Sequence, residues 1–307
     1  MLQPPALSPP PPLNPNPPAP RAPSVLLQGP PGTGKTYSLA SIMEAGVPLF
    51  YICTEPNGLE TLLDVMRKKK ISPDLLTYKI IEPSRPGFHT LFSMATRITE
   101  MGFDSLSKLG PTERSNAQFL TLISTLNNFI DDRTGKSFGS VNKFPSTMAL
   151  ALDSLSGVNI MAMDLTIGDK VTAHVGEWGI AMNMIDKLLL SLTSNLSCLF
   201  VLTAHIEPER DEITGGTKLM SATLGRKLAP KIPRFFSEVV LTHTEGDNYY
   251  WSTSHPQIDL KHRALARYNK LLPSFKPIID NYQQRLNYIS TQPELALPPP
   301  QPLQPLS

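Results

Sequence analysis

Short apolar runs separated by amphipathic stretches set the rhythm of this chain. Ser24-Val25-Leu26-Leu27-Gln28, Pro48-Leu49-Phe50-Tyr51-Ile52-Cys53 and Tyr78-Lys79-Ile80-Ile81 read as strands, with helical sequence over 35–44 and 59–69 between them. Runs that are apolar almost throughout mark strands buried on both faces, and strand–helix alternation predicts a mainly parallel sheet covered by helices. Further strands are predicted at 147–153, 198–203 and 238–242. Residues 176–193 read as a long amphipathic helix, with Trp178, Met182, Ile185, Leu188 and Leu189 at helical spacing. The stretch 88–131 is helical in period, is broken near Gly110-Pro111, and reads as an insert. Residues 249–252 and 258–260 are expected to end the sheet as a pair of antiparallel strands. The fold class this predicts is α/β.

Composition divides the 307 residues into a core and two ends. Residues 1–23 and 293–307 hold 17 of the 32 prolines, and such segments lack the apolar side chains that would offset the entropy of ordering. Both ends, 1–23 and 291–307, are therefore expected to be extended, polyproline-II-prone tails around one domain at 24–290. They are inert spacers or docking segments for an aromatic groove. A formal net charge of +2 does not announce a nucleic-acid binder. Cys53 and Cys198 each sit inside an apolar run, which suits a reducing compartment better than a disulfide framework. No apolar stretch reaches the ~18 residues of a membrane span, and prolines stand where a signal peptide would have its apolar segment. A soluble, cytoplasmic protein without a membrane partner is expected.

The strongest chemical signal is Gly29-Pro30-Pro31-Gly32-Thr33-Gly34-Lys35-Thr36, a GxxxxGKT P-loop with a strand before it and a helix after. Its glycines let backbone N–H groups converge on phosphate oxygens, and the helix start adds a favourable dipole. Lys35 would supply a point charge between the β and γ phosphates of ATP, and the Thr36 hydroxyl would ligate Mg²⁺. Asp153, at the end of an apolar run, is the candidate second Mg²⁺ carboxylate; a helix N-cap is the structural alternative. Serine rather than glutamate follows it, so a catalytic base must come from elsewhere.

These features, with strands ending Cys53-Thr54-Glu55, Leu152-Asp153-Ser154 and Thr203-Ala204-His205, resemble the RecA-like ATPase core over about 24–263. Within that group the chain is most similar to the small single-domain RecA-like nucleotide-binding proteins of bacteriophages, some of them single-strand annealing recombinases. The resemblance implies a RecA-like core, with Glu55 activating the attacking water and His205 sensing the γ-phosphate. A helix-start role for Glu55 and a structural histidine at 205 are the plainer readings. Lys261-His262-Arg263 matches the family's Lys-x-Arg element, implying that Lys261 and Arg263 reach a neighbouring subunit's site and that the protein self-associates. A solvated edge strand would explain these charges as well.

By the same resemblance, 207–219 corresponds to the mobile loop that contacts single-stranded DNA. Its charges run the other way: Glu207, Glu209, Asp211 and Glu212 outnumber Arg210 and Lys218. Arg226, Lys227, Lys231 and Arg234 lie just beyond it, and Arg67-Lys68-Lys69-Lys70 reads as a solvated helix end. Three functions remain open: an ATPase in DNA recombination or annealing, a helicase or packaging motor, and a nucleotide-dependent protein-binding switch. GTP is disfavoured, because Asn142-Lys143-Phe144-Pro145 departs from Asn-Lys-x-Asp at its last position.

Overall fold

The computed structural model describes residues 20–83, 87–101, 117–168, 170, 173–210, 215–225 and 227–291. The tails expected at 1–23 and 291–307 fall outside these residues except for 20–23 and 291. Outside them too lie Gly110-Pro111, Asp211, Glu212 and Arg226. Seven strands form one sheet in the order β3-β2-β4-β5-β1-β8-β9. They are β1 (Ser24–Gln28), β2 (Leu49–Cys53), β3 (Leu76–Ile80), β4 (Ala149–Asp153), β5 (Leu199–Ala204), β8 (Glu238–Glu245) and β9 (Asn248–Ser252). All neighbours are parallel except β8 and β9. The α/β class with a mainly parallel, helix-flanked sheet is as the apolar runs predict.

Every residue of β1, β2, β4 and β5 is buried, and alternate side chains feed two cores. Val25, Leu27, Tyr51, Ala151 and Val201 pack beneath α1 (Lys35–Glu44) and α2 (Gly58–Lys69). Leu26, Phe50, Leu152, Phe200 and Leu202 face the other layer. That layer comprises α4 (Gln118–Asn127), α5 (Leu155–Ile167), α6 (Val175–Asn195) and the short α7 (Ile232–Phe235). The insert supplies α3 (Phe88–Glu100) and α4. Its last residues cover the edge of β3: Asp131 accepts from the Tyr78 N–H and Asp132 from the Ile80 N–H. Side-chain carboxylates thus take backbone donors that an edge strand would leave free for another chain. The basic run ends α2, with Arg67, Lys68 and Lys69 in its last turn and Lys70 as a left-handed cap.

Three local expectations are corrected. Residues 258–260 form no strand; β9 pairs instead with β8, with Glu245 opposite Asn248 across the two-residue turn Gly246-Asp247. Gly246 has φ 56°, so this is a tight hairpin signal inside what read as one strand end. The 207–219 segment is not an open loop in its described part: β6 (Ile206–Arg210) and β7 (Thr217–Ser221) pair antiparallel. Glu209 stands opposite Lys218, an opposite-charge register that favours pairing. The domain also ends in a helix rather than a strand pair, α8 (Lys276–Thr291), with Ile278, Ile279 and Tyr282 buried. It is joined to α1 by the Phe275 N–H donating to Ser41 Oγ at 3.0 Å. Among the described residues no helix is long and apolar enough to cross a membrane.

Glu238 fixes the far end of β8. Its side chain is 1% exposed and accepts from the Arg263 N–H at 2.9 Å and the Ala264 N–H at 2.8 Å. Burial pushes its carboxyl up, and those two N–H groups pull it back down. Glu238→Ala should strand both donors in a dry site and lower unfolding free energy by about 1–3 kcal/mol, measured by urea titration.

Candidate functional site

The glycine-rich loop follows the carboxyl end of β1, between β5 and β8. Side chains in an open α/β sheet meet a ligand where the carboxyl ends of the strands form a crevice. Four such ends converge here: Gly29 after β1, Glu55 after β2, Asp153 closing β4 and His205 after β5. The loop's tightness requires its glycines. A Cβ on Gly29 would lie 2.2 Å from Thr242 Oγ1 and 2.5 Å from the Thr242 carbonyl of β8. Gly34 has φ 80°, and a Cβ there would meet the ring of Tyr249 at 2.8 Å. Thr33 Oγ1 and Thr242 Oγ1 lie 2.6 Å apart, tying the loop to β8 a second time.

Lys35 is buried, and its ammonium donates to the Gly29 carbonyl at 2.9 Å and the Pro30 carbonyl at 2.8 Å. Burial lowers its pKa to about 8, against the raising influence of Asp153 and Glu55. The cation is thus poised at the centre of the loop with little solvent around it, where an anion would be strongly attracted.

Asp153 is 2% exposed and serves three hydroxyls. Thr36 Oγ1 donates to its Oδ2 at 2.7 Å, Tyr51 Oη donates to the same oxygen at 2.8 Å, and Thr203 Oγ1 donates to Oδ1. Burial, then the Asp153 charge, raise Tyr51 well above its usual value, so its hydroxyl stays a donor. The N-cap alternative for Asp153 fails: Ser154 caps α5, its Oγ accepting from the Ser156 N–H at 3.2 Å.

Glu55 does not start α2, whose N-cap is Asn57 and whose first-turn acid is Glu60. Its Oε1 accepts from Ser154 Oγ and lies 3.3 Å from His205 Nε2. The His205 hydrogen bond leads the causes that hold Glu55 below the usual carboxylate range, with Ser154, the His205 charge and Lys35 adding to it against burial. The other ring nitrogen, Nδ1, is 3.4 Å from Lys35 Nζ. Glu55, His205 and Lys35 therefore form a continuous polar chain across the carboxyl ends of three strands.

No protein-family model matches the chain, and no curated protein matches it significantly. The site rests on its own geometry.

Lys35, Thr36, Glu55, Asp153 and His205, with loop residues 29–36, are brought together; Lys261 and Arg263 are not. Lys261 makes an isolated bridge with Val239, the second residue of β8 and three residues before Thr242. Its ammonium donates to the carbonyls of Arg234 and Phe236 at 3.3 and 3.2 Å. Because residues 261–263 form no regular strand, the two-residue alternation that would aim both cations one way does not apply. Tyr51, Thr203, Ser154, Thr242 and Tyr249 are site residues that sequence reasoning missed. Only strand pairing puts them beside the loop, although hydroxyl residues flanking Asp153 in neighbouring strands were a readable signal. Tyr37 and Tyr249, with ring centroids 5.1 Å apart, wall the loop beside Gly34.

Asp131, Glu55 and Asp153 do not form one cluster, and among the described residues no group of three or more His, Cys, Asp or Glu gathers for a metal. Thr36 and Asp153 nonetheless fit Mg²⁺: they are hard oxygen donors, and this ion commonly takes one or two protein oxygens, with waters and substrate phosphates supplying the rest. Tyr51→Phe should remove one donor from the buried Asp153 carboxylate and lower stability by about 1–3 kcal/mol in denaturant titration. An unchanged midpoint would mean that the hydroxyl is not holding the carboxylate.

Proposed function

We propose that this protein is a P-loop nucleoside triphosphatase with a RecA-like site, using Mg²⁺ and ATP. The observation that carries this reading is the Thr36–Asp153 contact of 2.7 Å beside the buried Lys35 ammonium. A hydroxyl and a carboxylate from distant parts of the chain are paired as oxygen donors next to a backbone cradle for an anion. Loop N–H groups and Lys35 would accept the charge of the β and γ phosphates. Mg²⁺, when bound, neutralises charge on phosphate oxygens, and Thr36 and Asp153 are the residues that would hold it. Glu55, kept ionised, would orient the attacking water and draw its proton. His205, touching both Glu55 and Lys35, is suited to report the γ-phosphate to the base. The Asn142-Lys143 pair lies in a turn before β4, whose other end carries Asp153, so it offers no guanine contact at this site.

Completion by a second copy belongs to the same proposal. Lys35 is the cation that hydrogen bonds bring into this cluster, while Lys261 and Arg263 sit beside the start of β8, from where a second copy's site is the one they would reach. Coupling to single-stranded DNA enters through the resemblance. The β6–β7 hairpin, with Glu207 exposed, is not the element that supports it.

Steady-state ATP hydrolysis tests the reading. Lys35→Ala should abolish turnover, and Glu55→Gln should lower kcat by about 10²–10⁴ while nucleotide still binds. Full turnover in either variant would sink the assignment, and a rate per subunit independent of protein concentration would remove the shared site.

Lys35 gives a further check through pH. The free site loses its ammonium proton above about 8. A bound polyphosphate favours the charged form, so binding takes up a proton above that pH, and affinity falls as pH rises further, by at most about tenfold per unit. Calorimetric titration at mildly alkaline pH, in two buffers of unlike ionisation heat, should show that uptake. Equal heats would contradict it.

A further inference from the structure

A sizeable cleft lies away from the glycine-rich loop. It has a volume of about 560 Å³ and lies between α7, β7 and the segment 253–267 that follows β9. Four cationic side chains line it, Lys218, Arg234, Lys261 and Arg267, together with His255 and His262. Asp259 is the one carboxylate among the lining residues, and it is already paired with Lys218 at 2.8 Å. Lys261 spends its protons on backbone carbonyls, one of them that of Arg234 itself. Two cations are thereby held close together without a carboxylate between them. Burial, and then the Arg234 charge, lower the Lys261 pKa, the direction expected where positive charge is concentrated and uncompensated.

Protein alone does not explain that concentration. Like charges gathered in a concave wall repel one another, and focusing by the cleft raises the local potential. An adjoining small void shares Pro230, Pro233, Ile258 and Asp259 with the cleft and is lined by Gln28. The Gln28 amide nitrogen is buried with no hydrogen-bond partner, another donor without an acceptor. Gln28 directly precedes Gly29, so the inner end of this region abuts the base of the glycine-rich loop. Phe, Tyr and Trp are absent from its lining and the imidazoles of His255 and His262 are its only rings, so charge and donors outweigh stacking surface.

We infer that this cleft is a second anion site, built to take phosphate esters and distinct from the loop that follows β1. It recognises the phosphate groups and not the bases, through guanidinium and ammonium donors, with Arg234 and Arg267 as the exposed contacts. The chemistry is shared by the phosphodiesters of a single strand and by a free polyphosphate, and the experiment separates them.

Two probes, a short fluorescein-labelled oligothymidylate read by anisotropy and tripolyphosphate read by calorimetry, are titrated into full-length Lys35→Ala protein. That background removes the loop's cation, so the outcome is independent of whether the protein hydrolyses ATP. At least one probe should bind at low salt, and Arg234→Ala/Arg267→Ala in the same background should weaken it about tenfold or more. If the strand binds, the slope of log affinity against log salt should fall by about 1.4 in the charge-removed variant, from two lost phosphate contacts. Binding of the oligothymidylate alone assigns the site to a strand's phosphodiesters, and of tripolyphosphate alone to a free phosphate group. Failure of both probes, or equal binding by a charge-removed variant whose melting temperature is unchanged, overturns the inference. Because both substituted arginines are exposed and outside the cores, the variant should fold as the parent does.

Discussion

One buried carboxylate holds the working edge of this sheet together. Asp153 closes β4 and accepts hydroxyls from Thr36 at the start of α1, Tyr51 in β2 and Thr203 in β5. A carboxylate this deep is costly to desolvate unless its lone pairs are occupied. Each hydroxyl that occupies one also pins its own element, so the solvation of a single charge sets the mutual position of four elements. The glycine-rich loop inherits its orientation from that arrangement, since Thr36 is both the end of the loop and one of the donors.

Lys35 is the counterpart on the positive side. Its burial weakens its hold on a proton, and the Gly29 and Pro30 carbonyls fix it within the loop. A chain of polar contacts runs from this ammonium through His205 to Glu55 and Ser154, which caps α5. The cationic and the acidic sides of the site are therefore mechanically joined. Structure beyond the site serves the sheet's margins: the insert covers β3, the β8–β9 hairpin walls the loop with Tyr249, and α8 closes the layer over α1.

Much of the core was legible along the chain. Apolar runs located the parallel strands to within three residues at each end because a strand buried on both faces must be apolar throughout. The elements read less well are those whose signals are short or relational. The β8–β9 turn hid in Gly246-Asp247, and β6–β7 lay in a segment that the resemblance marked as a mobile loop. Helix α8 carries only a narrow apolar stripe at Ile278, Ile279 and Tyr282 amid polar residues.

The sequence by itself determined the place of the glycine-rich loop and the α/β class, because a GxxxxGKT string after an apolar strand is local information. It also nominated Asp153, Glu55 and His205, since each ends a recognisable strand. Only the tertiary structure decided that these ends adjoin, that Tyr51 and Thr203 brace Asp153, and that Ser154 rather than Asp153 caps a helix. It also set Lys261 and Arg263 beside the start of β8, and gathered Arg234 and Arg267 into one cleft from segments far apart along the chain. The physical reason is the same in each case. Strand order and register fix which residues are neighbours, and they follow from packing two cores against one sheet, which no single stretch of sequence records.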